Sequence, residues 1–246
     1  MSSMQSSLTV ATSLVTALLT TLCLGQAQAS TLTVGSTTDI WLAGQPDGTT
    51  ATGNWGSDTA PTNSPLMMYV SGGSTLRFSA SGSTSVDTYC FAGPDGGCYA
   101  DESGFSPPPG TFYGIGSYKG PSNALIGVFL DNSAPSGVDV GGPASLDFTL
   151  AANVSQSVYT PVLNQIFFIG DGMMGTGTGN VQQFVAPTGA TRLFIAVADS
   201  YGSSTGNLGA LAVGVNVATV PEPESYAMLL AGLGLLGFMS RRRPIG

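Results

Sequence analysis

Between residues 208 and 217 the chain alternates with a period of two. Leu211, Val213, Val215 and Val217 fall on one side, and Ala210, Ala212, Gly214 and Asn216 on the other. That spacing sends the large apolar side chains to one face of an extended strand packed on one side. Leu193, Ile195 and Val197 repeat the pattern, opposed by Phe194, Ala196 and Ala198. Further β-prone runs lie at 31–34, 40–43, 67–70, 76–79, 124–130, 146–150, 165–169 and 181–185. Clusters of Gly, Pro, Asn, Asp and Ser separate them, the residues that supply turns. No stretch of this body shows a capped helix. The expectation is an all-β chain of about eight to ten short strands, a β-sandwich of jelly-roll form.

Composition then narrows the chemistry. The 246 residues contain no histidine, which removes the Ser-His-Asp triad, the Cys-His pair and every His-containing zinc site. Fourteen acids against six bases give a net charge of −8, the wrong sign for a chain that must neutralise phosphates, so no nucleic-acid partner is expected. Only 8% of the residues are charged while 42% are apolar. Such a chain has ample surface to bury and is not a disordered acidic tail.

The two ends read as addresses. Residues 8–24 are apolar and hydroxyl-rich without a charge, and Gln26-Ala27-Gln28-Ala29 follows. Ala27-x-Ala29 has the small-x-small form cut by signal peptidase, so residues 1–29 are expected to be a signal peptide, its helix removed after Ala29. No Lys or Arg precedes the run, a departure from the usual basic start. At the other end Pro221-Glu222-Pro223 precedes an apolar stretch, residues 226–239, and then Arg241-Arg242-Arg243. Fourteen residues make a helix of roughly 21 Å, short for a hydrocarbon core of about 30 Å. The arginines hold the terminus on the cytoplasmic side.

Residues 30–219 form the body, with twelve acids and only Arg77, Lys119 and Arg192 as bases. Cys90 and Cys98 flank a Phe-Ala-Gly-Pro-Asp-Gly-Gly turn, which favours a disulfide over free thiols in an exported chain. Residues 84–123 carry that loop, Ser106-Pro107-Pro108-Pro109-Gly110 and the aromatics Phe112, Tyr113 and Tyr118. This irregular excursion is either a binding loop or an ordinary stapled one. Trp41 and Trp55 are candidates to stack on sugar rings, though Trp41, between Ile40 and Leu42, reads as core. Asp95, with Asp101 and Glu102, makes a carboxylate group that nothing raises to a proton donor. Asp171 in Gly170-Asp171-Gly172 precedes a glycine-rich run without the Walker ending, which reads as a hairpin connection.

Pro221-Glu222-Pro223, the short apolar helix and Arg241-Arg242-Arg243 together resemble the PEP-CTERM sorting signal of Gram-negative bacteria. The resemblance covers residues 220–246 and implies transient insertion of the C-terminal helix in the membrane. It also implies processing by an exosortase, release to the cell surface or matrix, and association with exopolysaccharide and biofilm. A second resemblance runs through Gly127-Val128-Phe129-Leu130-Asp131, Leu146-Asp147-Phe148, Phe167-Phe168-Ile169-Gly170-Asp171-Gly172, Val181-Gln182-Gln183-Phe184-Val185, Gly189-Ala190-Thr191-Arg192-Leu193-Phe194 and Ala198-Asp199. This series is similar to exported PEP-CTERM proteins with a galactose-binding-like domain, itself similar to a calcium-dependent bacterial galactophilic lectin. The likeness implies a calcium (Ca2+) loop between the last two strands, with Asp199, Asn207 and carbonyl oxygens around Ser203 as ligands. Gly206 departs from that pattern, standing where the lectin has an asparagine. Without the metal, the same residues make a tight turn whose Asp and Asn bond the backbone.

The expected function is therefore a non-catalytic carbohydrate-binding module of the extracellular polysaccharide layer. The alternative is a passive structural surface protein that has no retained ligand site.

Overall fold

A computed structural model describes residues 28–86, 88–97, 113–135, 141–175, 177, 179–218 and 229–236. The signal segment with Ala27, the second cysteine Cys98, Asp101, Glu102, and the sorting residues Pro221, Glu222, Pro223, Arg241, Arg242 and Arg243 lie outside them.

Two sheets face each other. The larger is built around β12 (Leu208–Ala218), where the alternation is cleanest. Leu211, Val213 and Val215 are buried as the period of two requires. β12 pairs antiparallel with β1 (Gln28–Gly35) on one side and with the equally long β5 (Thr75–Ser85) on the other. β10 (Gln183–Val185), β8 (Val158–Tyr159) and β6 (Phe91–Ala92) extend this sheet, β6 by pairing with β5. The smaller sheet runs β4 (Leu66–Tyr69), β11 (Arg192–Val197), β7 (Leu125–Leu130), β9 (Ile166–Phe168), all antiparallel. An aromatic column joins the layers. Phe78 meets Phe184 edge-on at 5.0 Å, Phe184 meets Phe167 at 5.7 Å, and Phe167 stacks on Phe129 at 5.0 Å. Phe78 and Phe184 belong to the large sheet and Phe167 and Phe129 to the small one, so these rings form the centre of the sandwich.

β7 is buried on both of its faces. One faces the large sheet; the segment Ile40–Leu42 also packs on β7 and β11. That segment corrects the strand expected at 40–43. Asp39 accepts a hydrogen bond from the Trp41 N–H at 2.9 Å, and the Ala43 N–H bonds the Ile40 carbonyl, closing one 3₁₀ turn. Residues 146–150 are not a strand either. Asp147 accepts from the Thr149 N–H at 3.0 Å, a local turn that competes with a ladder, and a helical turn, Ala151–Val154, follows.

β1 begins at Gln28, with Gln28 opposite Val217 and Ala29 opposite Asn216. A cut after Ala29 therefore falls inside the strand and removes its first two pairs. Residues 229–236 are helical with exposed Leu229, Leu230, Leu233, Leu235 and Leu236. Among the described residues no helix is long and apolar enough to cross a membrane; the signal helix expected before Ala29 and most of the sorting segment lie outside them.

Candidate functional site

β11 ends at Val197, opposite Leu125, and β12 starts at Leu208, opposite Ser85. The intervening loop sits at the end of the sandwich, where a hairpin of β2 (Thr50–Thr52) and β3 (Ser57–Thr59) closes against it. The approach is backbone on backbone. A Cβ on Gly53 would overlap the Tyr201 carbonyl, and one on Gly202 would overlap the Ala51 carbonyl, so both positions require glycine. Gly202 also has φ of +66°, a conformation that other residues adopt only with strain.

Asp199, Ser203 and Asn207 lie on this loop. Asp199 Oδ1 accepts from the Ser200 N–H at 2.6 Å, and its Oδ2 accepts from Asn207 Nδ2 at 2.8 Å. Asn207 Nδ2 also donates to the Ser36 carbonyl at 3.1 Å. Both partners are acceptors, so the asparagine must turn its NH₂ toward them. Asp199 thus meets a hydrogen where a shared metal would need an oxygen. The Ser203 hydroxyl donates to the Tyr201 carbonyl at 3.3 Å. Calcium takes about six to eight oxygens. As arranged, these residues form a hydrogen-bonded clasp and do not fit that ion. Among the described residues there is no group of three or more acidic or thiol side chains able to hold a metal.

Beneath the clasp lies a pair that sequence reasoning missed. Asp39 and Asp58 are both buried. Asp39 Oδ2 accepts from the Gly202 N–H at 3.0 Å; Asp58 Oδ2 accepts from the Ser204 N–H at 2.7 Å, and its Oδ1 from the Thr205 hydroxyl at 2.6 Å. Burial pushes the Asp39 carboxyl up to about 8, helped by the negative charge of Asp58 and opposed by the N–H groups of Gly202 and Trp41. Asp39 had a sequence signal, an aspartate directly before an apolar run. Asp58, in a run of Gly, Ser and Thr, had none.

The two tryptophans separate cleanly. Trp41 is core, its indole N–H donating to the Gly116 carbonyl at 3.1 Å and its ring edge-on to Tyr201 at 5.7 Å. Trp55, at the tip of the hairpin, is 84% exposed. Phe91 and Leu208 are also exposed and flank Ser85 in one row across β6, β5 and β12.

Of the expected carboxylate group Asp95, Asp101 and Glu102, only Asp95 lies among the described residues. Its Oδ1 accepts the Asp171 N–H at 2.9 Å, and Asp171 turns its own Oδ1 to the Met173 N–H at 2.8 Å. Desolvation raises the Asp95 carboxyl, with the Asp171 charge adding and the Asp171 N–H opposing. Asp95 borders a cleft of about 340 Å³ whose walls include Pro121, Phe148, Thr149, Val154 and Phe168. Cys90 is disulfide-bonded.

Residues 219–243 match the PEP-CTERM protein-sorting motif, which marks the chain as an exported protein processed through its C-terminus by an exosortase. Among solved structures the chain is similar to the EclA N-terminal domain, a PllA-like lectin. The identity is 12% and the TM-score 0.35, over 76% of this chain and 94% of that one. No curated protein matches the chain.

Proposed function

We propose that this exported protein is a non-catalytic carbohydrate-binding module of the extracellular polysaccharide layer, delivered to the cell surface or matrix by its sorting signal. The observation that carries the reading is Trp55. A large aromatic ring stands 84% exposed on a hairpin whose backbone is locked against a neighbouring loop. Holding that ring in water forgoes roughly 1.5–3 kcal/mol of burial, which a binding role would recover. The negative π face of an indole suits the weakly positive C–H face of a pyranose. Lodging the ring on a rigid hairpin limits the entropy lost on binding. Calcium takes no part in this reading, because the Asp199–Asn207 clasp leaves the loop complete without it.

A passive structural role is the competing reading, and the same closed clasp favours it, since Asp199 Oδ2 is engaged by the Asn207 amide. A glycan array probed with the exported protein and with Trp55→Ala separates the two. Binding that Trp55→Ala abolishes supports the module; no binding at any calcium concentration supports the passive protein.

A further inference from the structure

The turn that follows Cys90 carries a carboxylate that neither the Trp55 hairpin nor the 199–207 loop uses. Asp95 stands in its Gly-Pro-Asp-Gly-Gly run, and the backbone there is pinned on both sides. The Leu125 N–H donates to the Pro94 carbonyl at 2.8 Å and the Gly97 N–H to the Ser122 carbonyl at 3.1 Å, while Asp95 bridges to Ala124. A Cβ on Gly96, whose φ is +72°, would overlap the Ser122 carbonyl. Cys90 is itself disulfide-bonded. The carboxylate is thus presented by a rigid turn, as a binding group must be.

Only one of its oxygens is committed. Oδ1 accepts from the Asp171 N–H at 2.9 Å, and Oδ2 meets no donor among the described residues. The carboxylate and the apolar wall close on one backbone position, since a Cβ on Gly170 would overlap both Asp95 Oδ1 and the Phe168 ring. The cleft that Asp95 borders, about 340 Å³, lies in the range of about 300–1,000 Å³ that holds small ligands. Pro121, Phe148 and Phe168 give it apolar walls, and Thr149 and Ser155 add hydroxyls. No base is among its described lining residues, and Lys119 pairs with Asp147. A partly buried carboxylate beside a second one, Asp171, gains most from a ligand that brings positive charge.

We propose that this cleft is a second ligand site that takes a protonated amino sugar, its ammonium on Asp95 Oδ2 and its C–H face against Pro121, Phe148 and Phe168. The ammonium brings three donors and no acceptor, which suits a carboxylate oxygen that lacks a donor. The Thr149 and Ser155 hydroxyls serve the ring hydroxyls. A neutral hexose keeps the apolar contact and loses the ion pair, and an N-acetylated one loses it as well. Selection therefore falls on the free amine. The site extends the carbohydrate-binding reading without resting on it, because none of these residues belongs to the Trp55 hairpin.

The Asp171 amide bonds the same carboxylate and reports its occupancy. In an NMR titration of the exported protein at about pH 6, where such an amine is charged, D-glucosamine is expected to move this resonance saturably. Glucose and N-acetylglucosamine are expected to bind at least about tenfold more weakly. Asp95→Asn is expected to lose as much affinity for glucosamine. Ala151→Trp, which fills the cleft from an exposed position on its wall, is expected to block it. If Asp95→Asn does not fold, Ala151→Trp decides alone. Trp55→Ala is expected to leave the glucosamine titration unchanged. A flat Asp171 resonance, equal affinity for either neutral sugar, or binding that survives Asp95→Asn or Ala151→Trp overturns the site. Loss of glucosamine binding in Trp55→Ala places the ligand on the hairpin and overturns it too. Each of the first three results leaves polysaccharide binding through Trp55 untouched, and polysaccharide binding unaffected by Trp55→Ala leaves this cleft untouched.

Discussion

Asn207 donates one side-chain hydrogen to Asp199 Oδ2 at 2.8 Å and the other to the Ser36 carbonyl at 3.1 Å. One asparagine thus ties the last loop of the sandwich to the residue that follows β1. Asn207→Ala removes both bonds and leaves a nearly buried carboxylate and a carbonyl short of a donor, at a cost of about 1–3 kcal/mol. Urea denaturation is expected to show that loss. Millimolar calcium is expected to leave the melting temperature of the unaltered protein and of Asp199→Ala where it was; a rise in the first that is absent in the second would restore the metal site.

The tryptophans are expected to respond in opposite ways. Trp41→Ala opens a cavity beside Tyr201 and orphans the Gly116 carbonyl, costing about 3–5 kcal/mol. Trp55→Ala touches nothing buried and is expected to shift stability by no more than about 0.5 kcal/mol. Thermal melts of the two variants check this, and Trp55→Ala then serves as a folded control in binding work.

Asp39 gives stability a pH dependence of unusual sign for a carboxylate. Its folded-state value, about 8, lies above the ordinary 3.8, so the folded protein keeps a proton that the unfolded chain has released. Unfolding therefore sheds a proton between those values, and stability falls as pH rises through that window. The contribution is fully present below about pH 4 and lost above about pH 8. Denaturant midpoints across this range are expected to decline in the unaltered protein and to flatten in Asp39→Asn.

The strands that were legible are those with a single buried face or a continuous apolar run. β12, β11 and β7 lie within a residue of their expected bounds because Leu211, Val213, Val215 and the run at 125–130 state their burial openly. The segment at 40–43 misled because three consecutive apolar residues suit a buried 3₁₀ turn as well as a strand, and only the Asp39 cap decides between them. The hairpin of β2 and β3 was invisible for the opposite reason. Its residues are mostly Thr, Ser and Gly, and what fixes it is long-range, the Asp58 bonds to Ser204 and Thr205. The loop residues Asp199 and Asn207 were found as neighbours, and a turn in which both bond the backbone was one of the two expectations for them; the direct bond between their side chains was not foreseen. The second partner of the amide, the Ser36 carbonyl, lies far away in the chain.

The sorting signal gives a prediction independent of the fold. Changing Arg241, Arg242 and Arg243 together to Ala is expected to leave unprocessed protein in the inner membrane, read by immunoblot of cell fractions. Mass spectrometry of the exported form is expected to show Ser30 as the first residue. β1 then keeps its pairing with β12 from Ser30 opposite Val215 to Gly35 opposite Ala210.

The claim that this is a carbohydrate-binding module is tested most directly by calorimetric titration of the exported protein with exopolysaccharide purified from the cells that secrete it. The account predicts saturable binding that Trp55→Ala weakens by about 30-fold, the effect of losing a central aromatic anchor worth about 2 kcal/mol. Absence of heat from the unaltered protein, or equal affinity in Trp55→Ala, would contradict it.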